Sequence, residues 1–570
     1  MPLRTVLWLL LAVVAGSTIG FGLALPGSDS TPVPVAAAPT PQANAPFTFA
    51  PPTGRPVKAV ALDTGGPSLS PGLRPLAQVE AATGLRGARS GADGTLAGEE
   101  GTISFNSPYS ADMTFFSFPG SASGSTTTTP TTGGETFTTT TPAAPTGPPP
   151  TIETVRTLSL TPFAATLSWH TSEAASSRAS YGLGSPVIWT APTPESTEHR
   201  VTITGLTQLK SYRLDITATT ADGRRAVAEY VLTTPAVTSP VRATTDGGKI
   251  LADGEIFFPK IVWAQCTDGV AGNIAVGIDT FMGNGCGSGA KLASWLGGAA
   301  LVLADALAPA EDRAGVAGTH LPDEWDTHLP GDLTVADVNR IAPPTQDAYP
   351  RFLTLTNHFY SRAEPLPQGR GMYPALAASA DVLGFDLYPM QNWCRFDDFG
   401  HVFDSQLDLI ALARGKPTFQ WIEVRQMDCR GPELDPTPET VRAESWMSIA
   451  AGAHAIGYFP NNWNADVGRE IARTNEEITT LTAALVEPNI AASASLGSYV
   501  KVGARELNGA VYVIAVNASR ASTSATITVP ALGDRVLRTL DGSQTVAAAS
   551  GAFSDNFGPL EVRIYIAAPA

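Results

Sequence analysis

Gly318-Thr-His-Leu-Pro-Asp-Glu-Trp325 is a short apolar run that stops abruptly in two carboxylates, Asp323 and Glu324, with Trp325 beside them. A strand whose tip carries an acid is how a parallel barrel presents a proton donor at its C-terminal face. Further on, Thr418-Phe-Gln-Trp-Ile-Glu-Val-Arg425 delivers Glu423 in the same way. Reading outward from these two runs, residues 240–487 alternate strand-like and helix-like patterns, which indicates a parallel sheet. Eight strands are expected: 257–264, 275–282, 299–304, 315–321, 351–358, 382–388, 418–424 and 455–459. Most lack polar alternation, as strands covered on both faces should. Helical patterns separate several of them, at 333–341, 404–414 and 438–453. Eight strands in this length predict a (β/α)8 TIM barrel. The first two strands lie so close in sequence that the first helix is expected to be short or absent.

Parallel strands all end on one face, so the tips collect the residues of interest. They are Cys266 after strand one, Asp279 on strand two, Glu324 after strand four, and Asn357 and His358 on strand five. Asp386 and Tyr388 end strand six, Glu423 ends strand seven, and Asn461, Asn462 and Trp463 follow strand eight.

The barrel is flanked by β sequence. Residues 151–237 show period-2 alternation in runs such as Arg200-Val-Thr-Ile-Thr204, separated by turn residues. About seven strands are expected there, in a sandwich with Trp169 in its core and the Tyr212 hydroxyl tied back to the backbone. Residues 488–570 return to β, with Asn508-Gly509 as a tight hairpin turn, and predict a C-terminal β-sandwich. Asn517-Ala518-Ser519 fits an N-glycosylation triplet, a pattern common by chance. Residues 26–150 include a Thr/Pro-rich stretch, 124–150, too poor in apolar residues to offset its ordering entropy, and read as a stalk. Residues 5–25 carry no charge and form an export signal or an uncleaved membrane anchor, so the rest of the chain is expected outside the cytoplasm.

Among 570 residues, 43% are hydrophobic and 15% charged, with a net charge of −16. That balance supplies a sizeable core and argues against a nucleic-acid surface, which needs clustered Lys and Arg. A neutral polymer is not repelled by it. A monomer is expected.

The barrel and its C-terminal sandwich, over residues 250–570, resemble a clan A glycoside hydrolase. The resemblance rests on Asp253-Gly-Glu-Ile-Phe-Phe-Pro259 entering strand one, on Gly318–Trp325 ending strand four, and on the helix and last strand in 442–459. Residues 151–237 are similar to a fibronectin type III domain over their full length. The clan resemblance implies that Glu324 is the acid/base and Glu423 the nucleophile of a retaining double displacement. Glu324 is then expected protonated at rest, and Glu423 ionised with help from Tyr388 and Arg425. It also implies that Tyr388 touches the nucleophile and that Trp463 is an aromatic floor. His320, Asn357, Asp279 and Asp386 are expected to line the sugar. The chain departs from the clan at Asp323, where Asn commonly binds the 2-hydroxyl, and Asp323 is expected to bind substrate from that position. Of Trp263, Trp393, Trp421 and Trp463, about half are expected to stack on sugars and the rest to pack.

Cys266 and Cys286 follow adjacent strands, as do Cys394 and Cys429, so two disulfides are expected to staple neighbouring loops. His320, His358 and Glu324 could in principle hold a metal, but no His-x-x-x-His spacing occurs, and neither metal nor cofactor is expected. Two functions fit: an exported retaining glycosidase acting on a polysaccharide or cell-wall glycan, and a surface-displayed, non-catalytic carbohydrate-binding or adhesion protein on a degenerate barrel.

Overall fold

The computed structural model describes residues 147–238, 240–344 and 349–570. The expected export segment and nearly all of the stalk lie outside them.

Strands β1 (Ile152–Leu160), β2 (Ala165–Gly182), β3 (Ile188–Trp189), β4 (Ser196–Ile203), β5 (Ser211–Thr219) and β6 (Arg225–Thr233) come first. They pair antiparallel around β2, whose first half carries β1 and β4 and whose second half carries β3 and β5. Six strands are present among the described residues, against about seven expected. Trp169 is buried in their core and donates its indole N–H to Ser177 Oγ at 3.0 Å. The Tyr212 hydroxyl accepts the Thr207 N–H at 2.9 Å.

A small sheet of β7 (Ala243–Asp246), β8 (Lys249–Ala252) and β9 (Glu255–Phe257) then leads into the barrel. Eight parallel strands close on themselves: β10 (Lys260–Trp263), β11 (Thr280–Met282), β12 (Leu301–Asp305), β13 (Gly318–His320), β14 (Arg351–Thr356), β15 (Val382–Asp386), β16 (Thr418–Glu423) and β17 (Ala455–Phe459). Helices α1 (Thr267–Ala275), α2 (Gly289–Leu296), α3 (Val335–Ile341), α4 (Tyr373–Ser379), α5 (Gly400–Ala413), α6 (Pro438–Ala451) and α7 (Ala465–Leu485) lie between or after them. The first helix, α1, is present and short, within what was expected, but its last residue, Ala275, corrects the expected start of strand two.

The helix ends follow local chemistry. Thr437 caps α6 reciprocally with Thr440, Pro438 occupies the first turn, and Gly452 ends the helix with φ 119°. The barrel core depends on two glycines. A Cβ on Gly384 would lie 2.1 Å from the Phe419 ring, and one on Gly457 would lie 2.3 Å from Trp421. These gaps let two aromatic side chains of β16 fill the lumen, where Trp421 donates to Thr354 Oγ1 at 3.1 Å.

The last region contains β18 (Asn489–Ile490), β19 (Ser493–Ala494), β20 (Val500–Leu507), β21 (Ala510–Asn517), β22 (Thr523–Thr528), β23 (Val536–Thr539), β24 (Thr545–Ala547), β25 (Ala552–Phe557) and β26 (Val562–Ala567). They form a six-stranded and a three-stranded sheet around one apolar core. Asn508 and Gly509 both take positive φ, as a two-residue hairpin turn of this hand requires. Asn517 is fully buried and donates to Ala521 O and Gly558 O, both at 2.7 Å, so its triplet is no acceptor in the folded chain. Among the described residues no helix is long and apolar enough to cross a membrane.

Candidate active site

The turn after β13 sets the site. Glu324 takes φ 44°, ψ 39°, a left-handed conformation that costs a residue with a Cβ roughly 1 kcal/mol. The turn is held by the next acid along the chain. Asp326 is fully buried and accepts the Thr356 N–H at 3.1 Å, the Thr356 hydroxyl at 2.5 Å and the Tyr373 hydroxyl at 3.0 Å. Thr356 ends the neighbouring strand β14 and Tyr373 opens α4, so Asp326 ties the strained turn to two rigid elements. Burial nevertheless raises its pKa against those three bonds.

Asp386, at the tip of β15, is 6% exposed, and its carboxyl lies beside that of Glu324. Burial, the neighbouring Glu324 carboxyl and the charges of Asp323 and Asp326 raise its pKa well above the ordinary range. Asp386 is therefore the carboxyl held protonated in this cluster. Asp323 exposes more than a third of its surface, yet its carboxyl sits among the walls of the barrel mouth. That desolvation, reinforced by Glu324 and Asp326, pushes its pKa up to about 7. The Tyr388 phenol is buried and feels the charges of Asp386, Asp323, Glu423 and Glu324, which with burial hold it protonated. Its ring stacks on Phe459 of β17 at 6.0 Å. Below lie Trp263, His320 and Trp421. Trp263 meets His320 edge-on at 5.1 Å and Trp421 at 6.1 Å, and the His320 Nε2 is buried without a partner. The structure thus brings together Asp323, Glu324, Asp386, Tyr388 and, beneath them, His320. Asn357 is buried just past the tip of β14.

Several expectations need correction. Glu423 does end β16, but it is 0% exposed. One carboxylate oxygen accepts the Met390 N–H at 2.9 Å and the other the Gln391 N–H at 2.8 Å. Its flank is closed by Glu444 of α6, a fully buried carboxyl beside it. A nucleophile must touch the anomeric carbon, and Glu423 is sealed from the mouth. Nor is it simply ionised, because burial lifts its pKa to about 7 despite the two amides and Glu444. Arg425 does not assist it and bonds Asn462 Oδ1 instead. Asp279 precedes β11, at the opposite end of the barrel, and pairs with Lys260 at 2.5 Å while accepting the Lys260 N–H at 2.9 Å. Trp463 packs edge-on to Tyr458 at 6.4 Å and over Gly468 of α7, so it braces a helix. Trp393, likewise, stacks on Tyr360 at 6.5 Å.

Asp326 and Glu444 were missed. The first has no local signal, because its partners lie far along the chain. The second had one: Glu444 shares a helix face, at spacings of three and four, with Val441, Met447 and Ser448, none of them charged.

Both expected disulfides form. Cys266–Cys286 has Cα atoms 5.1 Å apart and Cys394–Cys429 5.3 Å. The second joins the loop that supplies the Met390 and Gln391 amides to the loop after β16. Gln391 adds to that staple, donating to Leu434 O at 2.6 Å and accepting the Met427 N–H at 2.5 Å.

Cavities of about 480 Å³, beside Val241 and Leu301, and about 540 Å³, beside Trp189 and Arg538, lie away from this cluster. Convergent carboxyls, rather than enclosed volume, mark the site.

The buried carboxyls give a pH prediction. The unfolded chain releases the Glu423 proton near pH 4.5 and the folded chain near 7. Its stabilising contribution is full below about pH 4 and is lost as pH rises through 7, worth about 3 kcal/mol across that window. Asp386 acts in the same direction. Calorimetric Tm should therefore be higher at pH 5 than at pH 8, and Glu423→Gln should flatten the difference.

No protein-family model matches the chain, and no curated protein does. Solved structures do. A cyclomaltodextrinase aligns at 11% identity and TM-score 0.37, over 72% of this chain and 98% of that one. A GH30 endoxylanase from Clostridium papyrosolvens aligns at 13% and 0.30, over 54% and 96%. An α-amylase from Anoxybacillus aligns at 13% and 0.30, over 45% of this chain and 59%, under two thirds, of its own length. At such identities and scores, nothing about this chain's chemistry follows from theirs.

Proposed function

We propose that this chain is an exported glycoside hydrolase acting at the C-terminal mouth of its barrel, with Glu324 as the proton donor. The observation that carries the reading is the adjacent Glu324 and Asp386 carboxyls at the tips of β13 and β15. Such a pair keeps a proton available at neutral pH beside an exposed second acid, Asp323. A glycosidic oxygen set over Glu324 takes that proton as the bond to the anomeric carbon breaks. Water completes hydrolysis, returning a proton to Glu324. Trp263, with His320 and Trp421 beneath it, offers an apolar floor suited to a sugar face. Asp326 fixes the turn so that Glu324 needs no rearrangement. The disulfides suit an exported protein. In this reading β1–β6 form a fibronectin type III-like spacer between stalk and barrel, and the substrate is a neutral glycan.

A second reading is a surface-displayed protein that binds carbohydrate without cleaving it. The sealed Glu423 favours it, since one acid of the usual two-glutamate set is out of reach. The test is reducing-sugar release by the full chain from a panel of aryl glycosides and wall polysaccharides, with calorimetric binding to the same panel. Release supports the first reading. Binding without release supports the second.

A further inference from the structure

We propose that Asp305, the last residue of β12, is the second catalytic carboxylate of this mouth. It takes a proton from the water that attacks the anomeric carbon while Glu324 protonates the departing oxygen, so the anomeric centre is inverted. This rests on the glycosidase reading and adds the residue that activates water.

The eight barrel strands hold three acids between them, and each is the last residue of its strand: Asp305 on β12, Asp386 on β15 and Glu423 on β16. All three occupy lumen-facing positions, because residues two apart on a strand share a face. Leu303 and Trp421, two residues before Asp305 and Glu423, belong to the lumen core. A Cβ on Gly384, two residues before Asp386, would meet the Phe419 ring in that same lumen. Glu423 is lost to the mouth, fully buried with its oxygens on the Met390 and Gln391 amides. Asp386 belongs to the donor's side, because its Cα partner Thr356 holds Asp326, two residues beyond Glu324. Asp323 immediately precedes Glu324 and comes from that side too.

Asp305 is the exposed member of the three, and it stands elsewhere on the ring. Strands β12 and β15 are three apart in a closed ring of eight, close to opposite one another. The Cα partner of Asp305 is His320, which Trp263 meets edge-on at 5.1 Å, so Asp305 rises beside the aromatic floor. One Asp305 oxygen accepts the Leu307 N–H at 2.8 Å, which fixes the carboxyl at the tip before substrate arrives. Acids set nearly across a mouth suit an intervening water, which needs about 6.5–9.5 Å between carboxyls, and not direct attack, which needs about 5–5.5 Å.

Water is the only co-reactant. Its oxygen bonds to the anomeric carbon from the face opposite the leaving group, and one of its protons passes to Asp305. The anomeric C–O bond breaks, and its electron pair stays on the departing oxygen, which takes the Glu324 proton. Asp305 then releases its proton to solvent and Glu324 takes one up.

The experiment uses the full chain with 4-nitrophenyl glycosides of both anomers, following the first-formed sugar by proton NMR. Product of inverted configuration is expected. Asp305→Asn keeps an acceptor for the Leu307 N–H and should still lower kcat about 10²–10⁴-fold, the range lost with a general base. That loss should be the same for good and poor leaving groups, because every one of them needs the water activated. Asp305→Ala should regain turnover with azide and yield the inverted glycosyl azide, which the loss of a mere turn cap would not produce. Retained product, wild-type turnover in Asp305→Asn, or an Asp305→Ala that stays inactive with azide overturns the proposal and leaves the glycosidase reading standing. No cleavage of any glycoside overturns both.

Discussion

Glu324→Gln is expected to lower kcat/KM on glycosides of alcohol leaving groups by about 10²–10⁴-fold, the range lost with a general acid. Gln can hydrogen-bond Asp386 but cannot give up a proton. The fold should survive, because Glu324 is only half-buried and the turn is held by Asp326. Glu423→Gln is the contrasting variant. Its amide nitrogen would face the N–H of Met390 or Gln391, leaving a buried donor unpaired at about 1–3 kcal/mol. Tm should fall, while activity per folded molecule stays within about tenfold, since no substrate reaches that carboxyl. A two-glutamate double displacement makes the opposite forecast, with Glu423→Gln the more damaging for activity. Steady-state kinetics on folded fractions separate the two.

Lys260→Met should be the most destabilising of the single changes. Lys260 and Asp279 are 3% and 13% exposed at their side chains and 2.5 Å apart. Burial already raises the Asp279 pKa, and Lys260 is the first group opposing that rise. Removing the lysine leaves a buried carboxyl without its cation, at about 3–5 kcal/mol. The double variant Lys260→Met with Asp279→Leu should recover most of that loss, because a well-packed apolar pair replaces a buried ion pair at little cost. Activity should be unchanged in the folded fraction of either variant, since the pair sits at the far end of the barrel from Glu324. Chemical denaturation followed by tryptophan fluorescence gives the comparison.

That pair also shows where sequence reading reached its limit. The barrel was legible because strands sandwiched between lumen and helices are apolar on both faces, as in Val382–Asp386 and Thr418–Glu423. The strand four tip was legible because two acids interrupt such a run. Asp279 was misplaced through a boundary error. The second strand was begun at Ala275, inside α1, which set Asp279 in mid-strand instead of before its start. Trp463 was misjudged because nothing local tells an aromatic that floors a mouth from one that leans on the following helix. Strand parity could place Glu423 at a tip, but its burial comes from the loop after β15 and from α6. Both are brought over it by tertiary packing and by the Cys394–Cys429 bridge. Asp326, too, owes its role to Thr356 and Tyr373, partners no spacing rule connects.

The most direct test of Glu324 as the proton donor is the dependence of kcat/KM on leaving-group pKa, for wild type and Glu324→Gln, across a series of aryl glycosides. Good leaving groups need no proton, so the two proteins should converge at the acidic phenols and separate progressively toward the weakly acidic ones. A constant ratio across the series would contradict the account, because it would show that Glu324 contributes to binding or folding and not to protonation of the departing oxygen.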